Sequence, residues 1–157
     1  MSFLPNAVLV PLIIIQVSIP GLAQGSISKP SPSPLVCHIR IHDPHISEYM
    51  KVKVGFDYVK ANAESKCNRF QSKVILTVQI YKLTRLGDEF ITQKSTKMNA
   101  PQSSGFEVLN RGTMRRCKNS EPTFFYAVAF AKAVIDGRWQ YAGRTRSENT
   151  VELRCGT

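Results

Sequence analysis

Acidic residues are scarce in this chain: 11 Asp and Glu stand against 21 Lys and Arg in 157 residues, a formal charge of +10. That imbalance favours anionic partners through long-range attraction, and it identifies no site. Charge of either sign is missing before Lys29, histidine is confined to His38, His42 and His45, and the sole tryptophan is Trp139. No G-x-S-x-G, H-E-x-x-H, P-loop or dinucleotide fingerprint occurs, and the carboxylates show no spacing that suggests a paired acid and base. No catalytic residue is therefore assigned and no enzyme is expected. The absence of a fixed-period repeat or heptad excludes solenoid and coiled-coil architectures. No Asn-x-Ser/Thr acceptor for N-glycosylation occurs either.

What the chain does have is a hydrophobic run, Ala7 to Ala23 (AVLVPLIIIQVSIPGLA), followed by a body that holds all four cysteines. Pro11, Gln16 and Pro20 interrupt the run, which reads as an export signal rather than a membrane span. Gly21-Leu22-Ala23 puts small residues where a signal peptidase reads, so residues 1–23 are expected to be a signal peptide. A secreted, extracellular protein follows, with no stable membrane insertion after cleavage. Removing 23 residues from 157 leaves 134, one domain with a single core. Residues 24–34 (QGSISKPSPSP) read as a flexible Ser/Pro-rich tether, and 35–157 as the folded domain.

From Leu35 the periodicity is that of strands. Leu35, Cys37, Ile39 and Ile41 alternate with polar residues, and Met50, Val52, Val54, Phe56 and Tyr58 repeat the pattern after a turn at 43–48. A polar loop is expected over 60–72. Then Lys73 to Leu83 carries Val74, Leu76, Val78 and Ile80 on one side, and a hairpin loop at 84–88 leads into a run where Phe90, Thr92, Thr96 and Met98 share a face. Phe106, Val108 and Asn110 begin a fifth strand. Phe124 to Ile135 (FFYAVAFAKAVI) has enough alanine for a helix. Asp136-Gly137 between it and Arg138-Trp139-Gln140-Tyr141 is, however, the preferred type I′ hairpin turn, and a central strand is expected. The sum is an all-β fold, an antiparallel immunoglobulin-like β-sandwich of about seven strands. It lacks the Cys-Trp-Cys arrangement of antibody domains.

Cys117, Tyr126-x-Val128-x-Phe130, Asp136-Gly137, Ser147 and Val151-x-Leu153-x-Cys155 together cover about a quarter of the chain. In these positions the chain resembles small exported two-disulfide β-sandwich proteins of unknown function from actinobacteria. The resemblance implies secretion and a β-sandwich, and carries over no functional residue.

Four cysteines in an oxidising compartment imply two disulfides. Loop-closure entropy cannot choose among the three pairings, because each bridge is worth roughly 3.5 to 5 kcal/mol whatever its loop. Geometry chooses: a two-residue turn at Asp136-Gly137 brings Cys155 opposite Lys118, beside Cys117, and the turn at 43–48 returns the chain so that Cys67 reaches Cys37. The expected bridges are Cys37–Cys67 and Cys117–Cys155.

Two constellations are candidates for function. His42, Asp43 and His45 surround one turn, while His38 lies roughly 13 Å from His42 along a strand. They are expected to be exposed polar residues, with no metal and no cofactor assigned. The second is basic: Arg111, Arg115, Arg116 and Lys118 before the central strand, Arg138, Arg144 and Arg146 after it, with Tyr126, Trp139 and Tyr141 interleaved as stacking surfaces. Two function classes follow. One is a non-enzymatic secreted sandwich that binds an unknown protein or cell-surface ligand through its loops. The alternative is a basic polyanion-binding protein, taking nucleic acid, acidic polysaccharide or an anionic envelope.

Overall fold

A computed structural model describes residues 34–99 and 107–157. The expected signal peptide, and the tether up to Ser33, lie outside the described residues. The described chain forms nine strands and one helix: β1 Cys37–Ile41, β2 His45–Ile46, α1 Glu48–Val54, β3 Tyr58–Cys67, β4 Ser72–Thr84, β5 Gly87–Met98, β6 Glu107–Arg116, β7 Asn119–Ile135, β8 Arg138–Arg146 and β9 Val151–Gly156. They make two antiparallel sheets. In the first, β1 and β2 share one side of β3 and β6 takes the other; in the second the order is β5-β4-β7-β8, with β9 sharing the β8 side of β7. The core lies between them, where Val59, Ala61, Ala63 and Val108 of the first sheet meet Val74, Leu76, Val78, Ile80, Phe125, Ala127 and Ala129 of the second. A fully buried Val, Leu or Ile contributes about 1.5–3 kcal/mol, so β4 and β7 carry much of the stability.

The strands with a strong period-two signal form as their sequences dictate. Thr84 pairs with Gly87, leaving Arg85-Leu86 as a two-residue turn. Ile135 pairs with Arg138, and Asp136 (φ 51°) and Gly137 (φ 75°) adopt the left-handed backbone that a type I′ turn needs. A bulge at Ile91 lets Ile80 pair with Thr92 and Tyr81 with Phe90. Phe90 therefore leaves the face of Thr92, Thr96 and Met98 and stands 49% exposed beside Tyr81.

Three expectations are corrected. The strand expected over 50–58 is instead the helix α1. Ser47 Oγ accepts from Met50 N (3.4 Å) and Gly55, at φ 74°, donates to Lys51 O, so both helix ends are capped. Glu48 at its start and Lys51 and Lys53 at its end suit the helix dipole. No residue of α1 is buried, so the alternation there reported exposed apolar side chains rather than a core face. The polar loop expected over 60–72 is mostly β3. Its inward set is Val59, Ala61, Ala63, Ser65 and Cys67, too small and too weakly apolar to stand out against Lys60, Asn62, Glu64 and Lys66. With β2 and the separation of β8 from β9, the count becomes nine rather than seven.

Both expected bridges form. Cys37 and Cys67 sit directly opposite in β1 and β3 with Cα atoms 4.1 Å apart, and Cys117–Cys155 ties the β6–β7 link to β9 across 4.9 Å. The first follows from β3 rather than from the 49–58 segment. The second needs a register slip. β8 ends at Arg146, Ser147 takes over the edge of β7 by exchanging bonds with Ala127 N and O, and β9 then brings Gly156 O to Lys118 N (2.7 Å).

The two sheets are also locked by one buried amide. Asn110 on β6 is fully buried; its Nδ2 donates to Leu76 O (3.1 Å) and Lys94 O (2.8 Å) across the core, and its Oδ1 accepts from Gly112 N and Thr113 Oγ1. All four bonding positions of that side chain are used.

Candidate functional site

Because Val74, Leu76, Val78 and Ile80 of β4 and Phe125, Ala127, Ala129 and Ala131 of β7 point inward, the intervening residues form the outer face of the second sheet. That face is aromatic and cationic. Phe90, Tyr81 and Tyr126 form a row across β5, β4 and β7: Phe90 meets Tyr81 edge-on at 5.7 Å, and Tyr81 stacks on Tyr126 at 5.2 Å and 7°. The Arg146 guanidinium lies 3.8 Å from the Tyr126 ring centre and bonds Thr150 Oγ1. In the next row Arg144 Nη2 donates to Gln79 Oε1 (2.7 Å) and Tyr81 Oη (3.1 Å), and its guanidinium stands 5.7 Å from the Phe130 ring. Gln79 is itself fixed by Gln93 and Tyr81. Beyond them Lys132 Nζ is 5.2 Å from the Trp139 ring, and Tyr141, 75% exposed, pairs with Lys132 in register.

Among the described residues, no carboxylate pairs with Arg144, Arg146 or Lys132; the four ion pairs involve Arg40, Lys51, Arg69 and Lys82. The cations are held by ring faces and neutral amides, which orient a guanidinium without cancelling its charge. Among the described residues only Nη2 of Arg144 engages acceptors, which leaves its Nε and Nη1 as donors for a ligand. The Tyr126 phenol donates to Asp88 Oδ2 (2.6 Å), and burial, reinforced by that bond, pushes its pKa up to about 12. Tyr126 therefore keeps its proton, and its bond to Asp88, at ordinary pH.

The seven basic residues singled out in the sequence do not form one patch. Arg144 and Arg146 share the outer face with Tyr126, Trp139 and Tyr141. Arg115, Arg116 and Lys118 gather where β6 passes into β7, and Arg116 lies 3.4 Å from the Phe56 ring. Arg111 stands on the first sheet near His42 and Glu64, and Arg138 at the far turn near the Arg69–Asp136 ion pair. Lys132, Gln79, Tyr81 and Phe90 belong to the face but were not singled out. Gln79 and Tyr81 stood in the polar alternate set of β4, and a bulge hid Phe90.

Among the described residues, no group of three His, Cys, Asp or Glu could hold a metal ion. Asp43 instead anchors a loop. Its carboxylate accepts from Asn149 N (2.9 Å) and Asn149 Nδ2 (2.7 Å), bonds that lower its pKa and pin the β8–β9 connection. His45 Nδ1 lies 3.2 Å from Asp43 O. A cleft of about 240 Å³ opens between the sheets beside the Cys37–Cys67 bridge, with Lys132 and Tyr141 at its rim and no His, Asp or Glu among the described residues of its wall. No helix among the described residues is long and apolar enough to cross a membrane. Comparison with protein-family models, with curated proteins and with solved structures finds no match to this chain.

Proposed function

We propose that this is a secreted, non-enzymatic, immunoglobulin-like binding module whose second sheet presents a polyanion-binding face. The strand layout supports the architectural reading: β1, β3 and β6 face β5, β4, β7 and β8, so the chain crosses between sheets after β3, β5 and β6. The apolar leader at 7–23 and the two bridges support export to an oxidising compartment. One observation carries the functional reading: Arg144 and Arg146 lie against Phe130 and Tyr126 with no carboxylate partner among the described residues, in a chain of charge +10. Guanidinium donors on a face whose exposed rings are Phe90, Trp139 and Tyr141 suit a repeating anion, either sulfated or carboxylated polysaccharide or single-stranded nucleic acid. A protein ligand engaged through the loops is the competing class.

Salt and charge-matched variants separate the two. Retention on heparin or single-stranded DNA resin is expected to fall steeply with ionic strength. The Arg144→Ala/Arg146→Ala variant should lose most of it, with the slope of log affinity against log salt on single-stranded DNA reduced by about 1.5. Arg111→Ala/Arg138→Ala, which removes the same charge from scattered sites, should lose much less. Equal loss in both variants means that net charge alone is responsible and removes the site.

A further inference from the structure

A second surface, independent of the outer sheet face, lies at one end of the domain. Strand directions bring three segments there: α1 and Phe56 just before β3, the Arg85-Leu86 turn between β4 and β5, and the Arg115–Lys118 link between β6 and β7. Tyr58 pairs with Arg116, and Arg85 and Lys118 border one shallow depression together with Phe124. The two most exposed large apolar side chains of the described residues project from this end, Leu86 at 101% and Val52 at 88%, and Tyr49, 64% exposed, stands one turn of α1 from Val52. They stand on a hairpin tip and on a helix that buries nothing.

Their surroundings are basic. Lys51 is neutralised by Asp57 and Lys82 by Glu89. Lys53, Arg85, Arg115, Arg116 and Lys118 have no carboxylate partner among the described residues, against Glu48, Asp88, Glu121 and Glu152 nearby, which leaves a positive excess. We propose that this end docks on the surface of a lipid bilayer containing anionic phospholipids. Leu86, Val52 and Tyr49 enter the acyl boundary, and the surrounding Lys and Arg take the headgroups. Two separate convex projections fit a fluid surface, which closes around each of them. A rigid protein partner would need a matching pair of pockets. The contact is interfacial, with no segment crossing the bilayer.

Vesicle co-sedimentation tests it, using protein recovered from the medium of expressing cells with phosphatidylcholine vesicles that contain or lack phosphatidylglycerol. Binding is expected only with phosphatidylglycerol. Val52→Ser/Leu86→Ser should weaken it by more than about tenfold, the effect of withdrawing one to two apolar side chains from lipid. Both positions are solvent-exposed, so thermal melting and the disulfide map should match those of the parent. Arg144→Ala/Arg146→Ala should bind these vesicles nearly as the parent does, which separates this surface from the sheet face. The inference is overturned by absence of parental binding, by undiminished binding of Val52→Ser/Leu86→Ser, or by loss confined to Arg144→Ala/Arg146→Ala.

Discussion

Replacing Asn110 by Ala should cost more than any exposed substitution on β6, although the side chain removed is polar. Asn110 is fully buried and makes four hydrogen bonds, two of them to backbone carbonyls of the opposite sheet. Leu76 O and Lys94 O lie on the paired strands β4 and β5, and losing Nδ2 costs each an ordinary net bond of about 1 kcal/mol. Thr113 Oγ1 is different: it is buried, and Asn110 Oδ1 is its acceptor, so an unsatisfied hydroxyl adds about 1–2 kcal/mol. The expected total is about 3–4 kcal/mol, large against a typical stability of about 5–15 kcal/mol but short of abolishing the fold. Urea unfolding should show a lower midpoint with an unchanged slope. Asn110→Ala/Thr113→Val should recover part of the loss by removing the stranded hydroxyl. A loss below about 1 kcal/mol, or no recovery in the double variant, would refute the reasoning that this amide locks the sheets.

Cys117→Ala should release Cys155 as a free thiol, detectable by alkylation after denaturation, while Cys37–Cys67 stays oxidised, and should cost about 2–5 kcal/mol; a peptide joining Cys67 to Cys155 in the parent protein would contradict the fold. Tyr126 should ionise late, near pH 12. The raised folded value means the folded state holds the phenol proton more tightly than the unfolded chain does. Its stabilising contribution is therefore complete below about pH 10 and is lost as pH climbs from there through the folded value. Ultraviolet phenolate titration of Tyr126→Phe should lack that late phase, and its persistence would show that another tyrosine is responsible.

The fold was legible wherever burial was strong and regular. β4 and its hairpin, and β7 with Asp136-Gly137, each carry an apolar period of two closed by a turn whose residues admit few alternatives. β3 was hidden because a strand covered by a partner sheet can be lined with Ala and Ser. α1 was misread because Met50, Val52 and Val54 alternate like a strand, and the decisive information was in Ser47 and Gly55, the caps at either end. For the candidate face, Arg144, Arg146, Tyr126, Trp139 and Tyr141 were visible as a basic and aromatic mixture near the final hairpin. Which of the other cations join them depends on strand direction and sheet membership, properties of long-range pairing that local spacing does not encode. Arg111 and Arg138 fell away for that reason, and Lys132 entered because its neighbour across the hairpin is Tyr141.

Trp139 gives the most direct measurement of the central claim, since it is the chain's only tryptophan and sits on the proposed face, 46% exposed beneath Lys132. Titration at low salt with a heparin oligosaccharide or a single-stranded oligonucleotide should produce a saturable change in its fluorescence. The midpoint should move to higher ligand concentration as salt is added, and Arg144→Ala/Arg146→Ala should weaken the response. Binding of the same ligand detected by calorimetry while Trp139 emission stays constant would contradict the account and place the polyanion elsewhere on the molecule.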